Sequence, residues 1–219
     1  MKVEKAAVRP FLIKVPEGTL MTDLKTFQQK ALELGAAAAE IIQAKQITID
    51  ERVRLKCTVP RCLRAGETPN CPPYVPELDV VRKAFAKFSW GILLKTHLEP
   101  IEAYTPGSKQ SKGEEQSLLF HQKSGAIVYE IERLAYKYGY HLAMGLGGGS
   151  CKDYLCRGLI CQFLDSGRCR FPLRARPAME AMGIDVVDLI NKVGWKSYPL
   201  LGDLSQIPCA ISVGLVLVY

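Results

Sequence analysis

No run of 18 apolar residues occurs in the chain, so no segment is expected to cross a membrane as a helix. Histidine is scarce: His97, His121 and His141 are the only three, and they share no metal-ligand spacing. His121 falls in a helix-like stretch and His97 follows a strand-like one, where a structural role is the default. No Ser-His-Asp arrangement and no paired carboxylates stand out for acid–base work. A phosphate loop of the form G-x-x-x-x-G-K-S/T is missing, and GLGGGS at 145–150 lacks the G-x-G-x-x-G spacing because its sixth residue is Ser150. Internal repeats, low-complexity segments and Ser/Gly linkers are absent. Met1 to Phe11 has no seven-residue apolar core of the kind that marks an export signal. The expected compartment is therefore the cytoplasm, where structural disulfides are rare.

What is present fits one globular domain over 1–219, with 48% hydrophobic and 23% charged residues among 219. That composition excludes a disordered chain, a collagen-like repeat and a coiled coil. The net charge of +7 is spread along the chain, which reads first as a solvated surface and second as attraction for an acidic partner. Aromatic residues are not interleaved with basic ones as in RNA-reading surfaces, so nucleic acid is not expected.

Helix and strand patterns alternate. Thr22 and Asp23 are placed to cap a helix carrying Leu24, Phe27, Ala31 and Leu34, with Gly35 just past its end. Glu40-Ile-Ile, Ile47–Asp50 and the alternating Arg52-Val-Arg-Leu-Lys read as extended. Pro76 can open a helix with Leu78, Val81, Phe85 and Phe88 on one stripe, and Trp90–Leu94 reads as a strand. Thr105–Gly113 reads as a flexible loop. A long helix with Ile127, Ile131, Leu134 and Tyr138 ends at Gly139, and Tyr140–Leu146 reads as a strand. A last helix from Pro177 carries Met179, Met182, Val186, Leu189 and Val193 before Gly194, and Ala210–Val218 closes as an apolar strand. The expected fold is α/β or α+β: a small central sheet flanked by helices, with two cysteine-rich metal-binding loops at 57–76 and 145–176.

The eight cysteines carry the chemistry, and seven fall in two groups. Cys57-x4-Cys62-x8-Cys71 lies among Pro60, Gly66, Pro69, Pro72 and Pro73, which exclude a regular helix or central strand. Such a loop buries little of itself, and converging its thiolates on an ion would offset its ordering entropy. Cys151-x4-Cys156-x4-Cys161-x7-Cys169 supplies four ligands by itself, and Cys209 stands alone beside Pro208. Zinc accepts four such thiolates at x4 spacing. Iron–sulfur clusters also take four, often with proline near a ligand, as at Cys71-Pro72 and Cys169-Arg-Phe-Pro172. Ordinary buried free thiols are the remaining reading.

Gly145, Gly147, Gly148 and Gly149 precede Cys151, and their backbone N–H groups could point at an anionic cluster; a plain turn is the alternative. Gly147, Gly148, Gly149 and Arg170 are accordingly the candidate cofactor-binding residues. Arg157, Arg168, Arg170, Arg174 and Arg176 could offset cluster charge, receive an acidic redox partner or bind a small anionic substrate, or simply be solvated. Glu180 is expected to favour a helix start or to pair with a nearby arginine.

KCTVPRC, NCPPY, the glycine-preceded cysteine group ending CRFP, and RPAMEAMGIDVVDL together resemble a family of predicted metal-binding proteins of unknown function, from about Gly35 to Val193. The resemblance implies that Cys57, Cys62, Cys71, Cys151, Cys156, Cys161 and Cys169 carry metal, as an iron–sulfur cluster. The x4 spacings of the second group are longer than the C-x-x-C of that pattern, which leaves open which cysteines share a centre. The leading expectation is a protein with one or two 4Fe–4S clusters transferring electrons to or within a partner complex. An enzyme whose fourth iron position is open (desulfurase, lyase or reductase) and a zinc-stabilised binding module are the alternatives.

Overall fold

The computed structural model describes residues 8–101, 119–200 and 204–219. Period-two alternation in the strands decides the layering. In β4 (Ala210–Leu217), Val213, Leu215 and Leu217 face one way with Leu93, whereas Val216 faces the other way with Ile92 and Leu94. Around β4 the sheet is completed by β1 (Ala38–Gln43), β2 (Trp90–Leu98) and β3 (Met144–Leu146), in the order β1-β2-β4-β3 with every pairing antiparallel.

Helices cover both faces. On one, α1 (Glu17–Glu33) buries Leu24, Phe27 and Ala31, and α4 (Gln122–Lys137) buries Ile127, Val128 and Ile131 against Ile92, Leu94 and Val216. Opening Phe27 to alanine here would cost about 3–5 kcal/mol. The other face packs α3 (Leu78–Phe85), a 3₁₀ turn at Glu180–Met182 and α7 (Val186–Lys192) against Leu93, Leu215 and Leu217. Short helices α2 (Glu51–Leu55), α5 (Cys151–Tyr154) and α6 (Gln162–Ser166) sit beside the cysteine loops, making seven α-helices among the described residues. The architecture is a mixed α/β fold on an antiparallel sheet. Among the described residues no helix is long and apolar enough to cross a membrane.

Several elements differ from their sequence patterns, each for a local reason. α1 starts at Glu17 rather than after Thr22 and Asp23. Thr22 bonds back to Gly18, and the buried Asp23 accepts from Arg9 Nη1 (2.6 Å) and Tyr140 Oη (2.8 Å). Arg52–Leu55 is helical despite its alternation, because Asp50 Oδ1 accepts the Arg52 N–H (2.8 Å) as an N-cap and α2 buries neither face. The expected helix from Pro177 to Val193 is broken at Gly183, which has φ +78°, and restarts at the Asp185 cap, whose carboxylate accepts the Asp188 N–H (3.0 Å). Of Tyr140–Leu146 only Met144–Leu146 pairs, and β2 runs on to Leu98. The Thr105–Gly113 loop lies outside the described residues.

Candidate metal centre

The loop after α2 is a succession of tight turns that bury Cys71, half-bury Cys57 and leave Cys62 exposed. The Cys57 N–H bonds Arg54 O (3.0 Å), the Cys62 N–H bonds Cys57 O (3.1 Å), the Gly66 N–H bonds Pro72 O (2.7 Å) and the Cys71 N–H bonds Thr68 O (3.2 Å). Gly66 takes φ +80°, a conformation glycine adopts without strain. The winding places Cys57, Cys62 and Cys71 on the wall of one cavity of about 280 Å³. Gly149, expected from the sequence to bind a cofactor, lies on the same wall, as do Ser150, Asp153, Glu180 and His121.

The second segment docks on the first, although Asn70 and Cys151 are 81 positions apart. Arg64 Nε pairs with Asp153 Oδ1 (2.6 Å) and Lys152 Nζ pairs with Glu67. Asn70 Nδ2 donates to Cys151 Sγ (3.4 Å), and the Cys71 thiol donates to Ser150 Oγ (3.7 Å). The fully buried Thr68 hydroxyl accepts the Asn70 N–H (3.0 Å) and so fixes the turn that carries Asn70 to Cys151. Burial pushes all three inner thiols up: Cys57 and Cys71 above the usual thiol range and Cys151 to about 11. Cys62 and Cys71 add to the rise at Cys57, and Cys71 adds to that at Cys151, which is electrostatic testimony to how closely the sulfurs are grouped. Neutral and inward-facing, these thiols are poised to lose protons to a cation rather than to solvent.

Cys156, Cys161 and Cys169 are half-buried. Cys161 occupies the N-cap position of α6, and the Cys169 sulfur accepts the Phe171 N–H (3.3 Å). Arg170 donates to Ile160 O (2.7 Å) within the same segment, and Arg176 pairs with Glu132 (2.7 Å). Cys209 is half-buried before β4 and is not among the residues lining the cysteine cavity.

The glycine run has a steric purpose. Gly147 spends its N–H on Pro177 O (3.0 Å) and accepts the Met179 N–H (2.9 Å). A Cβ on Gly148 would stand 2.6 Å from His121 Nδ1, and one on Gly149 (φ +59°) would stand 2.3 Å from His121 Cδ2. His121, at the start of α4, is thus packed under the glycine turn, with Nδ1 2.8 Å from Ser212 Oγ and that hydroxyl 2.6 Å from Ser124 Oγ. Burial lowers its pKa to about 4.

Among the described residues, no group of three or more His, Cys, Asp or Glu side chains is already drawn together tightly enough to hold a metal ion. The donor chemistry nevertheless suits a cation: three thiols round one cavity, beside a carboxylate whose Oε2 is buried without a hydrogen-bond partner, that of Glu180. Residues 40–217 match the family model described as predicted metal-binding protein (DUF2284). The chain belongs to that family. The match covers both cysteine segments and β4, reaching past Val193, where the motif resemblance stops. No curated protein and no solved structure matches the chain.

Within this DUF2284 chain, Glu180 and His121 are the site residues that spacing does not reveal. Glu180 forms none of the ion pairs found among the described residues, contrary to the arginine pairing expected of it, since Arg176 and Arg64 are taken by Glu132 and Asp153. Burial raises the Glu180 pKa, and its own backbone N–H offsets this in part. One signal was available: Glu180 is a lone acid in the apolar stretch Ala178–Met182.

Proposed function

We propose that this protein is an iron–sulfur protein that binds a 4Fe–4S cluster in the cavity lined by Cys57, Cys62 and Cys71 and passes electrons to a partner protein. The observation that carries the reading is the spread of three thiols round a space of about 280 Å³. A zinc ion needs its sulfurs within about 2.3 Å of one point. A cluster distributes them over separate irons of a larger body, which suits thiols arrayed on a wall. Asn70, hydrogen-bonded to the Cys151 sulfur, is a group of the kind that tunes a cluster's potential.

Cys151, Cys156, Cys161 and Cys169 are the ligands of a second cluster. Its Cys151 ligand would lie beside Cys71 of the first, and neighbouring centres suit stepwise passage of electrons. Arg168 and Arg170, exposed on that segment, suit an acidic redox partner.

The same cavity also supports an enzyme reading, since three cysteines leave one iron without a thiolate. Open positions are where metal sites bind substrate.

The test is anaerobic purification followed by assay of iron, acid-labile sulfide and zinc per chain, with the visible absorption spectrum. Matched iron and sulfide near one or two four-iron sets is the expected outcome. Zinc without sulfide would overturn the cluster and favour a structural module.

A further inference from the structure

Three cysteines leave a four-ligand centre one donor short, and the cavity offers few ways to complete it. Asp153 Oδ1 is likewise buried without a hydrogen bond, but its charge is met by Arg64 Nε at 2.6 Å, whereas Glu180 has no ion pair among the described residues. His121 presents Nδ1 to Ser212, and its Nε2 lies under Gly149, 2.9 Å from where a Cβ would stand. Neither Cys151 nor Cys209 is on the cavity wall. Glu180 remains. It lines the cavity, its Oε2 is buried without a hydrogen-bond partner, and the adjacent Met179, Ala181 and Met182 are anchored in the core. A buried, unserved carboxylate oxygen beside three thiols is costly to the metal-free chain and favourable once a cation arrives.

We propose that Glu180 is the fourth, non-thiolate ligand of the centre held by Cys57, Cys62 and Cys71. This rests on the cluster reading above. A carboxylate is a harder donor than thiolate, so the iron it holds is the exchangeable one. Glu180 also lines a second cavity of about 150 Å³ with Met179, Val186, Ile190 and Val213.

The experiment compares wild type, Glu180→Gln, Glu180→Cys, Cys209→Ser and Cys57→Ser, each reconstituted anaerobically with iron and sulfide. Iron per chain, rate of iron loss to a chelator and the Mössbauer spectrum are read. Circular dichroism of each metal-free variant reports folding. In wild type one iron subsite should differ from the thiolate-bound irons. Glu180→Gln should alter that subsite and speed iron loss several-fold, Glu180→Cys should merge it with the others, and Cys209→Ser should change neither. Wild type labelled with carboxyl-¹³C glutamate, reduced and examined by electron–nuclear double resonance, should show a carbon coupling, a result that does not depend on any variant folding.

Absence of that coupling, or wild-type spectra and iron retention in both Glu180 variants, would overturn the assignment. In that case a loss of iron in Cys57→Ser would leave the cluster reading standing. Failure of wild type to take up iron and sulfide would overturn both.

Discussion

Gly149 and His121 fit because one lacks what the other needs. An alanine at Gly149 would have to adopt φ +59° and place its methyl 2.3 Å from the imidazole. Overpacking of this kind costs about 1–3 kcal/mol, so Gly149→Ala should lower the thermal midpoint, and adding His121→Ala should recover part of the loss. A double-mutant cycle by thermal denaturation measures the coupling; additive effects would show that the two do not press on each other.

The imidazole also predicts an acid limit. Its pKa is lowered to about 4 in the fold from an ordinary 6.5. As pH falls below 6.5 the unfolded chain takes up a proton that the folded one refuses, so the contribution of His121, full above 6.5, is lost as pH approaches 4. Midpoints measured from pH 7 to pH 4 should fall less steeply for His121→Asn than for wild type. These contacts were not legible in the glycine run, which is equally a cradle for an anion or room for a ring. The ring that occupies the room comes from 27 positions away (148 − 121).

Gly183 separates two readings of the segment from Pro177 to Val193. Judged by helix propensity, Gly183→Ala should stabilise by about 1 kcal/mol. The fold predicts the opposite sign, since the residue has φ +78° and a Cβ would lie 2.6 Å from Leu78 Cδ2 on α3. Denaturant titration should show destabilisation of about 1–3 kcal/mol. An unchanged or raised midpoint would mean that the continuous helix is accessible. The apolar stripe of Met179, Met182 and Leu189 was legible and is core. The break was not, because helical spacing survives a turn that keeps the same face inward. Cap and strand signals compete in the same way at α2, where Asp50 was decisive once no neighbour offered a sheet to join. Gly214 belongs to this scale too: a Cβ there would stand 2.4 Å from Val128 Cγ2, so the bare backbone lets α4 lie directly on β4.

At the scale of the molecule, the two cysteine loops are held to each other by polar ties as well as by packing. Lys152–Glu67 and Arg64–Asp153 join the two loops, the second pair at the cavity wall. Lys152 is 9% exposed in its side chain, so Lys152→Met should separate electrostatic stapling from packing. We expect a loss of about 1 kcal/mol, between the surface and buried limits for ion pairs, and faster proteolysis within 57–76. Metal removal should act on the same region. Binding to the folded state alone adds RT ln(1 + [L]/Kd), which is about 4 kcal/mol at a thousandfold excess over Kd. Chelation should therefore lower the midpoint and open 57–76 to protease, while the α1–α4 face keeps its hydrogen-exchange protection. Equal loss of protection on both faces would indicate that the metal supports the whole core.

The sequence by itself determined the chemistry available: seven clustered thiols in loops too rich in proline and glycine to be regular, and the apolar stripes and alternations that become α1, α4, β2 and β4. These depend on neighbours within a turn or a strand, where spacing is enough. Only the tertiary structure decided that Cys57, Cys62 and Cys71 share one cavity, that Cys151 lies against Asn70, and that Glu180 has an oxygen without a donor. Convergence of that sort depends on how segments some 80 to 120 positions apart dock across a sheet, and docking is set by the whole core rather than by any local pattern.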